Sequence, residues 1–305
     1  MSAVDSAVRV PHEVPGDEFA ERGGPGIWWR IARTFLRNKA ATCGALLLLA
    51  VFLFCFVGPH LYHTDQLQSS ITYANLPPSH RFPLGTDGNG FNVLGRLMVG
   101  GQATLEVAVG VGALASALGL AWGAISGYLG GVADAVMSRI VDTLMSIPGI
   151  LVFIFLATRY RPSVPLLIFV LSGLSWLIPA RLIRAETLSL REREYVQAAR
   201  GAGARAPRIV GRHIAINTLG TLVVSATFQV ATAILIVATL DFLGFGLQPP
   251  TPSWGNMLQN GVTYLYDGYW WEVYPAAAMI LLTIVAVSIV GDGLRDAMDV
   301  RLQER

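Results

Sequence analysis

The sequence predicts an all-α polytopic membrane protein with six transmembrane helices and both ends on the cytoplasmic side. Three observations carry this. Of 305 residues, 53% are hydrophobic and only 14% charged, with a mean hydropathy of +0.53, whereas a soluble globular domain is roughly 25% charged. Six apolar runs approach the length needed to cross about 30 Å of hydrocarbon at about 1.5 Å per residue. The cations are unevenly shared: with the amino terminus inside, sixteen Lys and Arg residues flank the cytoplasmic ends, while four, Arg81, Arg96, Arg159 and Arg161, lie on the other face. That bias is the one that orients membrane helices during insertion.

The elements follow in order. Residues 1–27 mix scattered acids with three prolines and read as a disordered cytoplasmic tail, because a cleaved signal peptide needs a basic and then an apolar stretch. Residues 28–39 read as an interfacial helix, with Trp28, Ile31 and Phe35 on one face and Arg30, Arg33 and Arg37 on another, a division suited to the headgroup region. A transmembrane domain is expected over 40–300, with spans at 40–59, 107–133, 137–158, 163–180, 217–240 and 273–291. The second is rich in Gly, Ala and Ser, which let membrane helices approach closely, and Pro148 kinks the third. Between the spans lie extracytoplasmic loops 60–106 and 241–272 and a cytoplasmic loop 181–216. Trp270 and Trp271 fit an aromatic belt.

Several kinds of chemistry are excluded. Cys43 and Cys55 stand three helical turns apart, too far to bridge, and read as buried, inert thiols. No CxxC or HxxxH pair is present to bind zinc, so no metal site is expected. A P-loop needs a Gly-Lys pair, and the only lysine, Lys39, follows Asn38. No cofactor is therefore assigned to this chain, and no catalytic residue or nucleic-acid contact. Acids and arginines gather at span ends, which speaks against the midplane charge that ion-driven carriers use.

The stretch RLIRAETLSLREREYVQAARGAGARAPRIVGRHIAIN, from Arg181 to Asn217, carries eight cations and three acids between Arg181 and Arg212. Glu194 to Arg200 is helix-forming, Gly201 and Gly203 permit a left-handed C-cap, and Pro207 suits the first turn of a second helix. Two short helices about a glycine elbow result. Small alanines flanked by Arg and Glu form a surface that a groove on another protein can enclose while charges fix its register. A basic loop that only holds topology is the alternative.

On these residues the stretch resembles the EAA loop of ABC importer permeases. Gln197-Ala198-Ala199, then Gly203, then His213 to Asn217 follow that pattern, with Gln197 in place of the usual Glu and Ile216 in place of the usual Pro. Glu194-Tyr195-Val196 and Arg212-His213 resemble the dipeptide and oligopeptide subfamily. The resemblance implies that Glu194, Tyr195, Val196, Gln197, Ala198, Ala199, Gly203, Arg212 and His213 dock on a separate ATPase.

Three further stretches resemble the same subfamily, extending the likeness from about Trp28 to Arg301. PLGTDGNGFNVLGRL contains Gly85, Thr86 and Asp87; LDFLGFGLQPPTPSWGNML contains Pro249, Pro250 and Trp254, with Ser253 placed to cap a short helix; GDGLRDAMDVR closes the sixth span. The first two imply contacts at the outer pore mouth or with a binding protein, or loops that simply shape that surface. DGNG is no calcium loop, since positions five and twelve counted from Asp87 are Phe91 and Met98.

The resemblance implies a type I ABC importer permease fold in the cytoplasmic membrane, surrounded by lipid. It also implies a second homologous permease subunit, two ATPase subunits that hold ATP and Mg, and an extracytoplasmic substrate-binding protein. This chain would form half of a pathway for short peptides, or, in the same machinery, for nickel complexes or glutathione. The rivals are an ion-driven secondary carrier and a scaffold that moves nothing.

Overall fold

A computed structural model describes residues 27–63 and 69–303. The tail expected before them lies outside the described residues, as do the side chains of Trp28, Asp299 and Arg301. Helix α1, Ile27–Arg37, buries Ile31 and is followed at once by α2, Lys39–Phe56. Asn38 separates the two: its backbone is extended and its side chain accepts from the Ala40 and Ala41 amides, closing orphan donors of the new helix. A one-turn α3, Gly58–Leu61, leads into the loop before the next long helix.

Helix α4, Val93–Leu129, starts with Asn92 accepting from the Gly95 amide and ends at Gly130, whose φ of +66° suits glycine. Then come α5, Gly131–Met145, and α6, Gly149–Arg159, bent by 71°. Helices α7, Val164–Ser175, and α8, Leu177–Leu190, are bent by 45°. The loop helices α9, Glu194–Gly201, and α10, Ala206–Ile209, pass through a π turn into α11, Ala215–Phe242. Helix α12, Trp254–Val262, lies in the loop that follows α11, and α13, Tyr274–Gln303, closes the fold.

Four helices are long and apolar enough to cross a membrane, and each bent pair passes the same test, giving four to six candidate crossings among the described residues. Helix boundaries differ from the expected spans for identifiable reasons. The second helix begins at Val93 rather than 107: Glu106, the charge that bounds the apolar run, lies exposed within α4 without ending it, and Arg96 further back is buried against Asp87. Pro148 does more than kink its segment: it divides α5 from α6. The fourth run continues to Leu190 after a bend forced by Pro179, which has no amide to give the Ser175 carbonyl four residues back. Gln229 of α11 donates its side-chain amide to that carbonyl instead, so the break leaves no polar group stranded.

Helix α4 is central, packing on α2, α7, α8 and α11. Its closest approach is to α8 along Gly119, Gly123 and Gly127, spaced four apart on one face. A Cβ on Gly123 would stand 2.8 Å from the Arg184 amide nitrogen, and one on Gly127 2.7 Å from the Thr187 Cβ. Small residues are what allow such contact where lipid supplies no hydrophobic drive between helices. On the periphery, α2 exposes Leu46, Leu49, Phe52 and Leu53, as a helix in hydrocarbon does. Two side chains depart from expectation. Cys43 is exposed, with only Cys55 buried, and Trp271 turns inward rather than joining a belt, leaving Trp270 exposed.

The glycine groove yields a direct test. Gly123→Val should overpack α4 against α8 and cost about 1–3 kcal/mol, seen as a lower thermal unfolding midpoint of the detergent-purified chain; Gly201→Val, where no atom lies within 4 Å, should cost less.

Candidate functional site

Helix α9 has eight residues, too few to persist alone in water. It is held by a small core of its own, in which Val196 packs with Ile209, Ile214, Ala124 of α4 and Ile183 of α8. Val196 has no exposed surface, so it mounts the helix and is not available to a partner. The Arg200 guanidinium lies 5.2 Å over the Tyr128 ring, and the Tyr195 and His213 rings stand 6.2 Å apart. Gln197 donates to the Glu192 carbonyl at 3.3 Å.

The helix ends in the left-handed turn that its glycines permit. Gly203 has φ +79°, its amide donates to the Arg200 carbonyl at 3.0 Å, and the Ala204 amide donates to that of Ala199 at 3.0 Å. Pro207 stands in the first turn of α10. What the mount presents outward is Glu194, Tyr195, Gln197, Ala198, Gly203 and Arg212, with Ala199 and His213 half-buried. Exposed Arg205 and Arg208 flank this face. The structure thus brings the candidate residues of the loop together, apart from Val196.

The outer candidates fall differently. Gly85 has φ +73°, and a Cβ there would stand 2.6 Å from the Leu76 carbonyl and 2.8 Å from the Trp271 ring. The Thr86 hydroxyl donates to the Tyr73 carbonyl and accepts from the Leu76 amide at 2.8 Å, while Trp271 Nε1 donates to the Thr86 carbonyl at 3.1 Å. Asp87 accepts from the Asn89 and Phe91 amides at 3.0 and 2.9 Å and pairs with Arg96 at 3.3 Å. Arg96 in turn lies 4.3 Å from the Phe91 ring centre. Burial pushes the Asp87 carboxyl above its ordinary value, against the pull of Arg96 and the loop amides. Gly88 donates its amide to the buried Glu272 at 3.2 Å, tying this loop to the start of α13. With its oxygens so engaged, Asp87 is a strut.

Trp254 is also internal: its ring lies against Gly101 and its Nε1 donates to the Leu97 carbonyl at 2.8 Å. Ser253 caps α12, accepting from the Asn256 amide at 3.2 Å. Beneath it Asp241, fully buried, accepts from the Leu247 amide at 2.7 Å, and Gly246 and Gly255 leave no room for a Cβ beside it. Of the outer candidates only Pro249 and Pro250, joined by a cis bond at the loop tip, are exposed. Sequence reasoning missed Asp241, Glu272 and the Arg200–Tyr128 contact. For Asp241 a signal existed: an acid in an apolar run, five residues before a glycine.

Comparison with known proteins identifies the family. Residues 119–304 match the family described as binding-protein-dependent transport system inner membrane component, and residues 26–78 match the N-terminal TM domain of oligopeptide transport permease C. The dipeptide transport system permease protein DppC of Bacillus subtilis is 35% identical over 89% of this chain and 85% of its own. The oligopeptide transport system permease proteins OppC of B. subtilis and Mycobacterium bovis are 33% and 35% identical, over 91% and 88% of this chain and 91% and 93% of theirs. The chain therefore belongs to the inner-membrane permeases of binding-protein-dependent ABC importers, in the branch of the dipeptide and oligopeptide permeases.

Proposed function

We propose that this chain is the membrane subunit of an ATP-driven importer of short peptides, forming half of the pathway and taking its drive from a separate ATPase through α9. The observation that carries the reading is the rigidly mounted α9, whose exposed face of Glu194, Tyr195, Gln197 and Ala198 is left for another protein. Peptide as cargo is supported by relatives named as dipeptide and oligopeptide permeases. The partners in this reading are a second permease of similar fold, two ATPase chains carrying ATP and Mg, and an extracytoplasmic binding protein that Pro249 and Pro250 could meet.

The physical role of each loop residue follows from its exposure. Ala198, and Ala199 behind it, let a groove wall close over the helix without steric cost, while Arg205, Arg208 and Arg212 steer and register the partner. Gln197 offers an amide where a carboxylate is usual, so docking there relies on hydrogen bonding rather than charge. Closure of the ATPase pair then biases two arrangements of the helices, one open to each side.

Two variants separate docking from mounting. Ala198→Trp fills the exposed face without touching the core; it should abolish copurification of the ATPase and lower peptide-stimulated ATP hydrolysis, with the permease still monodisperse. Unchanged values for both would sink the docking assignment. Val196→Ala should loosen the mount, with amides 194–203 exchanging hydrogen about tenfold faster in the purified chain. For the activity itself, proteoliposomes with the complete complex should accumulate a labelled dipeptide only with ATP; uptake that survives loss of the ATPase and collapses with an uncoupler would identify an ion-driven carrier.

A further inference from the structure

Helix α5 touches the rest of the chain along a thin seam. Val132, Val136 and Ile140 are exposed, and only Asp134 and Val141 are buried. The seam is polar. Both Arg184 Nε and Nη2 donate to the Asp134 carboxylate, the second at 2.6 Å. Ser126 of α4 and Ser138 of α5 donate to the same carboxylate. One turn earlier on α8, Arg181 pairs with Asp142. Two turns later, Arg191 donates to the Gly127 carbonyl at 3.0 Å. The three arginines lie along one face of α8 and its C-cap, and three residues beyond Arg191 the chain enters α9.

A cavity of about 420 Å³ lies between α4, α5 and α8, lined by Trp122, Ser126, Asp142, Arg181 and Arg184 among others. Its guanidinium groups and carboxylates are neutralised in pairs, which leaves no net charge to hold a ligand. The cavity is the space inside a joint. A bidentate pair whose carboxylate is 12% and guanidinium 34% exposed resists separation more than a fully solvated surface pair, since removing either group leaves the other's hydrogen bonds unmet.

We propose that the Arg184–Asp134 pair, backed by Arg181–Asp142, is the joint through which displacement of α9 and α8 carries α5, and with it the bent α6. Arg184 and Asp134 are positioning residues for transport, distinct from the docking face. The inference rests on the reading of this chain as an ATP-coupled permease. With the pair intact, α5 follows α8 as one body. With it broken, α9 still docks and the ATPase still turns over, but α5 no longer follows.

The test uses the complete importer in proteoliposomes, measuring dipeptide uptake and ATP hydrolysis together. Asp134→Ala and Arg184→Ala should each lower uptake per ATP by roughly tenfold or more while hydrolysis persists, and the swap D134R/R184D should recover a substantial part of the ratio. A second measurement needs no change at the pair. Spin labels at Val136 and Leu182, in a chain with Cys43 and Cys55 replaced by alanine, should report the same α5–α8 distance without nucleotide and with trapped ATP. The proposal is overturned if that distance shifts by more than about 2 Å, if the single variants keep the wild-type ratio, or if the swap recovers nothing in an assembled complex. A wild-type complex that imports no peptide would instead defeat the functional reading, and the distance measurement would still decide the joint.

Discussion

The close approach of α4 and α8 is the contact on which the rest of the chain depends. Lipid gives two apolar helices no reason to associate, so contact must come from fitted surfaces and hydrogen bonds. Gly119, Gly123 and Gly127 supply the fit by letting the backbone of α8 lie against that of α4. Pro179 is part of the same arrangement: it packs on Gly119 and bends α7 away from α8, and Gln229 repairs the carbonyl that the proline leaves free. Because α8 runs on into α9, the glycine groove also sets where the α9–α10 loop stands. Ala124 and Ile183, neighbours across the groove, form the floor on which Val196 rests.

Charge is handled by pairing as much as by exclusion. The first turn of α4 admits Arg96 because Asp87 faces it and the Phe91 ring covers it. The first turn of α5 admits Asp134 because Arg184 grips both oxygens and two serines donate to one of them. In each case one group alone would be costly in a low-dielectric surround, and the satisfied network is what makes it tolerable. These pairs join residues from separate elements, so the electrostatic requirement doubles as a geometric one: it orders the loop before α4 at one end and α5 at the other.

The helical class, the glycine elbow at Gly203 and the cap at Ser253 were legible in the sequence, since each depends on residues within a turn of one another. The start of α4 was not, because Glu106 interrupts the apolar run without ending the helix, and the pairing that lets Arg96 sit buried further back reaches to Asp87, nine residues away in the loop. The roles of Thr86, Trp254 and Trp271 were hidden for the same reason. Their motifs marked the positions as special, but only the fold shows Trp254 reaching the Leu97 carbonyl and Trp271 that of Thr86. Val196 is the sharpest case: in a motif read as a docking surface, one residue in the middle points inward, and a helix of eight residues is too short for its periodicity to declare which.

Rigid ends and broken middles together define how such a chain can move. At one end, Thr86, Asp87, Trp254, Asp241 and Glu272 lock the two loops to α4, α11 and α13 by buried hydrogen bonds. At the other end, the satellite core and the arginines of α8 lock α9, α8 and α5. Between them the chain is interrupted at Ser146 to Pro148 and at Trp176, where helices meet at 71° and 45°. A packed body does not deform continuously, so displacement concentrates where helical hydrogen bonding is already broken. The α7–α8 bend is stabilised from α11 by Gln229, whereas α5 and α6 expose most of their surface around theirs. The α5–α6 break is therefore the softer of the two, and a rotation delivered to the first turns of α5 bends the chain there rather than in the packed α7–α8 corner.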